Sequence, residues 1–267
     1  MTGEESSAGD GPGAGDGSNV EDEPLSDAVE EGLRVVEAAE ERDLTVRTIG
    51  GTAIWTHSET MHEEPFERGY RDVDFVATRE DKQDVIDLMA DLGYEPNKRF
   101  NTMHRFQLEF QDPVNDRKAD YIVDKFRFSH SWSLRDRVEV DYPTVPVEDL
   151  LLSKLQIAEI SDRDVRDIVS VLNDHPIEPE GDVDTINPGY VAGLCRGDWG
   201  LYKTTTMNLE RVGTYVADEE LPIDDGTLEE RIERLHDHIE DAPKTLRWRL
   251  RSLIGERKQW YRRPEVS

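Results

Sequence analysis

The sequence has few of the features that mark secreted and membrane proteins. It holds a single cysteine, Cys195, in 267 residues, so no disulfide can form within the chain. It has no run of about 18 consecutive apolar residues, the length that a membrane-spanning helix needs. The N-terminal segment lacks basic residues followed by an apolar stretch, so we expect no secretory signal. Together these absences predict a protein of the reducing cytoplasm.

Basic residues are also scarce, and lysine most of all, with only eight in the chain. Sixty acidic residues face 32 basic ones, which gives a net charge of -28. Residues 1–33 contain ten acids and no Lys or Arg, yet residues 34–267 still hold 50 acids against 32 bases. This balance predicts adaptation to molar salt, which screens repulsion between surface acids. An acidic mimic of nucleic acid is the alternative; either way, we expect no broad DNA-binding surface.

The pattern of residue types divides the chain into three parts. Residues 1–24 are mostly Gly, Ser, Asp and Glu, which predicts a disordered acidic tail. In residues 25–146, β-rich runs alternate with helical patterns, and Ser26 is the predicted cap of the first helix. Residues 147–267 show mainly helical periodicity. The predicted fold class is therefore α+β: a mixed or antiparallel sheet with flanking helices, followed by an all-helical C-terminal half. The predicted strands cover residues 44–49, 72–78, 105–110 and 119–123, the last two as a hairpin, with 127–128 and 138–142 as candidate edge strands.

Two carboxylates alternate on a predicted strand and suggest a metal site. Asp72 and Asp74 lie two residues apart, so both side chains project from the same face. Their repulsion is relieved when a cation lies between them, and hard oxygen ligands suit Mg²⁺ or Mn²⁺. Asp120, inside another β-rich run, is the predicted third ligand, with Asp116 or Asp124 as alternatives. Three such carboxylates can serve metal-assisted displacement at a phosphate. In so acidic a chain, the alternative is a solvated strand face.

A glycine pair precedes these acids at a predicted turn between strand and helix. Gly50 and Gly51 would let backbone amides approach a phosphate closely, and the hydroxyl of Thr52 could donate to the same phosphate. The same pair also suits a purely structural turn.

In this order, the motifs resemble those of the nucleotidyltransferase superfamily related to polymerase β. The residues that carry the resemblance are Ile49-Gly50-Gly51, Asp72-Val73-Asp74-Phe75 and Ala119-Asp120-Tyr121. Residues 147–155 and 164–168 look like the AbiEii-type branch, which includes toxins of toxin–antitoxin and phage-defence systems. The resemblance covers about residues 44–175 and places Lys154 near the nucleotide. The gap of 21 positions between Gly51 and Asp72 is longer than usual, which an inserted loop at about 57–68 would explain.

The resemblance implies an enzyme that moves a nucleoside monophosphate from a nucleoside triphosphate to a hydroxyl. Asp72, Asp74 and Asp120 would be its catalytic and metal ligands, and Mg²⁺ or Mn²⁺ its cofactor. Gly50, Gly51, Thr52 and Lys154 would bind the nucleotide. A protein, RNA or small molecule would accept the group, and an antitoxin protein is a further expected partner.

Other interpretations stay open for several features. The whole fold could be an inactive binding module that pairs with a protein. Asp164, Arg166 and Asp167 suit either a set of ion pairs on a helix surface or the lining of a cleft. The arginines near the C-terminus suit a helix-dipole complement or a patch for RNA.

Overall fold

The computed structural model of the chain describes residues 23–263. The predicted tail, residues 1–24, therefore lies outside the described residues except for Glu23 and Pro24. The described part is α+β, as the sequence predicts. None of its helices is long and apolar enough to cross a membrane.

The centre of the fold is a mixed five-stranded sheet with the order β1-β2-β5-β4-β3. Strands β2 and β5 are parallel, and every other neighbouring pair is antiparallel. The predicted hairpin of β4 and β5 is confirmed. Its turn is fixed by Asp112, whose carboxylate accepts hydrogen bonds from the backbone of Val114 and Asn115 and pairs with Arg117. The strands are β1 (Val46–Ile49), β2 (Val73–Ala77), β3 (Glu95–Pro96), β4 (Gln107–Asp112) and β5 (Arg117–Val123).

A separate two-stranded ribbon follows the sheet, formed by β6 (Lys125–Arg127) and β7 (Ser131–Ser133). The prediction of a strand at 138–142 is wrong, because this segment is a series of turns. Its alternating residues suggested a strand, but only Val138 is buried, whereas Val140 and Tyr142 lie exposed.

Ten helices occur within residues 23–263, and most of them follow the predicted apolar periodicity. The first begins one residue later than predicted, because Asp27 and not Ser26 caps it; the Asp27 carboxylate accepts from the backbone of Val29 and Glu30 at 2.9 Å. The helices are α1 (Ala28–Glu40), α2 (Gly51–His57), α3 (Lys82–Asp91), α4 (Lys98–Met103), α5 (Val147–Leu155), α6 (Asp162–Asp174), α7 (Pro188–Cys195), α8 (Trp199–Asp218), α9 (Asp225–Asp241) and α10 (Leu246–Ser252).

Two hydrophobic clusters cover the two faces of the sheet. Val73 and Phe75 of β2 point into a cluster with α1 and α3. Val76 points the other way, into a larger cluster that joins α2 to helices α5–α9. That larger cluster runs through the predicted domain boundary at residue 146, so the helical half packs directly on the sheet. The side chains of β2 and β5 that share the face of Val76 therefore point towards the helices.

Candidate functional site

Two of the predicted carboxylates are direct neighbours across the parallel strand pair. Asp74 of β2 is paired in register with Asp120 of β5. Residues on either side of Asp120, Ala119 and Tyr121, belong to the opposite cluster. Strand parity therefore puts both carboxylates on the face directed towards the helices, where each is half-buried. This is the arrangement that the sequence predicted for Asp74 and Asp120.

Of the other acids considered from the sequence, Asp72 acts on both carboxylates through its charge, whereas Asp116 and Asp124 are engaged elsewhere. Asp72 precedes β2 and is exposed, two residues from Asp74 along an extended segment. Asp116 lies exposed in the hairpin turn and accepts a hydrogen bond from Gln111. Asp124 follows the far end of β5 and pairs with Arg79 at 2.9 Å. Neither alternative third ligand joins Asp74 and Asp120.

The surroundings of the pair oppose negative charge. Burial raises the pKa of Asp74 to about 7, with a further contribution from the charge of Asp120. Burial also raises the pKa of Asp120 to about 6, aided by Glu109 and partly offset by Lys118. Within residues 23–263, neither carboxylate forms a side-chain hydrogen bond or an ion pair. Lys154 and Lys118 offset part of the charge without touching the pair, so no direct ion pair neutralises the two groups when both are ionised.

Gly50 lies directly against the Asp74 carboxylate. It follows β1, whose last residue, Ile49, is paired with Asp74. Its φ of 81° lies in the left-handed region, and a Cβ added to it would come within 2.6 Å of Asp74 Oδ2. Only glycine fits this position, both for its backbone conformation and for its contact. The predicted turn therefore brings bare backbone to the edge of the carboxylate pair.

Gly51, the first residue of α2, lies under two side chains that the sequence did not single out. A Cβ at Gly51 would be 2.8 Å from Tyr70 Cε1 and 3.2 Å from Arg68 Nη2. The guanidinium of Arg68 stacks on the Tyr70 ring, 4.7 Å from its centroid. Burial raises the pKa of Tyr70 to about 12, so the phenol stays protonated at neutral pH.

Three buried polar atoms around Gly51 have no hydrogen-bond partner within the described part of the chain: Arg68 Nε, Tyr70 OH and Thr52 Oγ1. Buried polar groups are usually satisfied, so this corner of the site has unused donors. Arg68 and Tyr70 belong to the polar segment before Asp72, where no periodicity reveals which side chains turn inward. Their short spacing from Asp72 was the only available signal.

Lys154 of α5 is held by two carboxylates of α6. Its ammonium lies 3.1 Å from Asp164 and 2.9 Å from Asp167. Burial disfavours the charge, but Asp167 and Asp164 outweigh it and raise the pKa of Lys154. Asp167 also binds Arg68 at 2.6 Å, so one buried carboxylate joins both cations. The charge of Lys154 acts on Asp74 as well, which places this network beside the carboxylate pair.

The sequence left open whether Asp164, Arg166 and Asp167 form ion pairs on a helix surface or line a cleft. The two acids do form ion pairs, but these lie beside the carboxylate pair and not on the exposed surface of α6. Asp164 and Asp167 form ion pairs that face α5 and Arg68. Arg166 is exposed and bonds to the Tyr215 hydroxyl and the Pro65 carbonyl.

The described residues contain no group of three or more His, Cys, Asp or Glu side chains arranged to hold a metal ion. Asp74 and Asp120 are paired in register, and Asp72 lies near enough for its charge to act on both, but the three do not form a closed set of protein ligands. Two surface depressions, on α9 and between α3 and α4, do not include them.

Comparisons with known proteins add no family assignment. The chain matches no protein-family model, and the comparison with curated proteins finds no match.

Proposed function

We propose that the carboxylate pair of Asp74 and Asp120 marks the active site of a metal-dependent nucleotidyltransferase. The enzyme would move a nucleoside monophosphate from a nucleoside triphosphate to a hydroxyl of a protein, an RNA or a small molecule. The mixed sheet would then be of the nucleotidyltransferase type. A role in a toxin–antitoxin or defence system, with an antitoxin as partner and in the cytoplasm, belongs to the same proposal.

One observation carries this proposal: the register pairs Asp74 with Asp120, and Gly50 leaves bare backbone at their edge. The donor set fits Mg²⁺ or Mn²⁺, because both carboxylates are hard oxygen ligands that form no direct ion pair among the described residues. Mg²⁺ is commonly held by one or two carboxylates together with substrate phosphates. Asp72, whose charge acts on both carboxylates, would be the third protein ligand, and substrate phosphates would complete the coordination.

The proposed reaction is an in-line displacement at the α-phosphorus. The acceptor hydroxyl oxygen forms a bond to that phosphorus as the bond to the leaving oxygen breaks. Pyrophosphate departs with the electron pair, and the hydroxyl proton passes to solvent. A bound divalent ion would neutralise phosphate charge. Asp74 and Asp120 would hold that ion, and Gly50 would leave room for a phosphate. Arg68 and Lys154 would add positive charge beside the triphosphate.

A non-catalytic binding module is the second candidate. Asp167 neutralises part of the charge of both Arg68 and Lys154, so the fold already uses these cations structurally. In that case, a nucleotide would not bind in a magnesium-dependent way.

Calorimetry with a non-hydrolysable triphosphate, with and without MgCl₂, separates the two candidates. We expect magnesium-dependent binding that weakens at least tenfold in Asp74→Asn and in Asp120→Asn, about 1.4 kcal/mol or more. Asp116→Asn, an exposed acid of the same hairpin, is the matched control and should bind as the wild type does. Release of pyrophosphate in the presence of acceptor extracts should likewise be reduced in Asp74→Asn and Asp120→Asn and unchanged in Asp116→Asn.

Equal binding by wild type and both site variants, or binding independent of magnesium, would contradict the proposed site. Circular dichroism of each variant shows whether a loss reflects the site or the fold.

A further inference from the structure

Helix α10 leaves an apolar stripe exposed on the surface of this strongly charged protein. Leu246 is 73% exposed, Leu250 59%, Leu253 79% and Ile254 45%. Leu253 and Ile254 follow α10 in helical backbone geometry, so the spacing i, i+4, i+7 and i+8 puts all four on one side. Contiguous exposed apolar side chains of this kind mark an interaction surface.

The opposite side of α10 is already seated on the protein. The ring of Trp248 packs edge-on against Tyr202 of α8, with centroids 5.1 Å apart. Arg251 lies over Trp199, 4.5 Å from the ring centroid. The helix therefore has a fixed orientation, and its stripe points away from the body. Exposed Arg247 and Arg249 flank the stripe on its two sides.

The charge around the stripe is opposite to that of the rest of the chain. Residues 244–263 contain eight Lys and Arg and a single acid, Glu256, in a protein of net charge -28. Helix α9, directly before this segment, exposes Glu230, Glu233, Asp237 and Asp241. These acids form no ion pairs among residues 23–263. Together with Arg234 and His238, they line a depression of about 620 Å³ that reaches Ala242, four residues before Leu246; its four acids against one arginine leave it acidic.

We propose that a second copy of this chain covers the stripe in a two-fold symmetric dimer. The apolar stripe of each copy packs against the same stripe of the other across the two-fold axis. Arg247 and Arg249 of each copy then reach the acids of α9 in the other. Two complementary patches close together on one chain are what a symmetric interface requires, since each patch meets its counterpart twice.

The charge pairs are a necessary part of this interface. Four apolar side chains bury much less than the roughly 800 Å² per partner of a standard interface. The contacts between the basic segment and α9 supply further area and fix the orientation of the two copies.

Other occupants match the stripe less well. Residues 1–22 hold six acids, but their only large apolar side chains are Met1 and Val20. A nucleic-acid backbone would satisfy the arginines and leave the leucines in water. An anionic lipid surface would bring acidic α9 against its own charge.

Analytical ultracentrifugation of the full chain at about 100 µM tests this dimer. The wild type should sediment as a dimer and Leu250→Ser plus Leu253→Ser as a monomer. Variant A, with Arg247→Glu and Arg249→Glu, should be monomeric. Variant B, with Glu233→Arg and Asp237→Arg, should also be monomeric.

A mixture of variants A and B provides the decisive result. In a two-fold dimer of A with B, α10 of A meets the new arginines of B, and α10 of B meets the unchanged acids of A. The mixture should therefore dimerise although neither variant does alone. A monomeric wild type would assign the stripe to another occupant and overturn the proposal. If the wild type is a dimer but the mixture of variants A and B stays monomeric, the proposed interface is wrong.

Discussion

Individual side chains at the candidate site have costs that show what the site is built to hold. Asp74 is half-buried beside Asp120 without a counter-ion, and Gly50 adopts a φ of 81° against the same carboxylate. The first feature is unfavourable in the isolated chain, because an ionised carboxylate is desolvated, and a bound cation would relieve this cost. Gly50 adopts its φ without strain because it has no Cβ, and the same lack of a side chain leaves its backbone open to close approach by a ligand.

The substitution Asp74→Asn should stabilise the metal-free protein at pH 8. The pKa of Asp74 is about 7 in the folded chain against an ordinary 3.8, so its ionised form is disfavoured by folding. The protonated group favours folding below about pH 4, and this contribution is lost as the pH rises through 7. We expect the variant to gain roughly 1–3 kcal/mol at pH 8 and almost nothing at pH 4. Urea unfolding at both pH values measures the difference.

If Asp74 is a metal ligand, added MgCl₂ should make the wild type more stable than Asp74→Asn at pH 8. The wild type at pH 8 should then melt higher, and Asp74→Asn should not respond. An equal response to magnesium in both proteins would argue against this residue as a ligand.

Gly50→Ala should destabilise the protein, whereas Gly69→Ala should not. At position 50, alanine would have to adopt an unfavourable positive φ, and its Cβ would lie 2.6 Å from Asp74 Oδ2. At Gly69, nothing lies within 4 Å of an added Cβ. The expected loss for Gly50→Ala is about 1–3 kcal/mol, measured by chemical denaturation. Similar stabilities for the two variants would show that the turn tolerates a side chain.

Local sequence patterns predict some helices and strands of this fold well and others poorly. The difference is whether the contacts that hold an element in place are close in sequence. The apolar spacing correctly predicted most helices and the β4–β5 hairpin, because these contacts are close in sequence. The pairing of β2 with β5 joins residues 46 positions apart, as in Asp74 and Asp120, and only the resemblance suggested it. The inward direction of Met61 and Phe66 in a polar loop was not predicted, since both are buried by contacts remote in sequence.

The ion pairs that connect α5, α6 and the loop before β2 depend on Asp167. Its carboxylate is fully buried and binds both Arg68 and Lys154. Asp167→Asn would leave Arg68 without a carboxylate partner and Lys154 with Asp164 alone, and breaking a buried pair costs about 3–5 kcal/mol. Asp162→Asn is the matched control on the same helix, since Asp162 is 75% exposed. Thermal melts should show a large drop for Asp167→Asn and almost none for the control; equal melting temperatures would contradict this role.

The whole molecule is governed by its charge. A net charge of -28 makes the folded state repel itself, and residues 34–267 keep 50 acids against 32 bases. Ion pairs neutralise only some of these acids, and many of the others lie on exposed helix faces such as that of α9. Compactness therefore depends on the solvent as well as on the two hydrophobic clusters.

The melting temperature should consequently rise with KCl. The Debye length falls from about 10 Å at 0.1 M salt to about 3 Å at 1 M, so repulsion between neighbouring surface acids is largely removed over this range. Calorimetry in KCl, with sucrose of equal osmolarity as the control, separates screening from general solute exclusion. We expect KCl to raise the melting temperature well beyond sucrose, and most of the gain to come below 1 M. A melting temperature independent of KCl would mean that the surface acids are far enough apart to be tolerated in dilute buffer, and the interpretation as salt adaptation would be wrong.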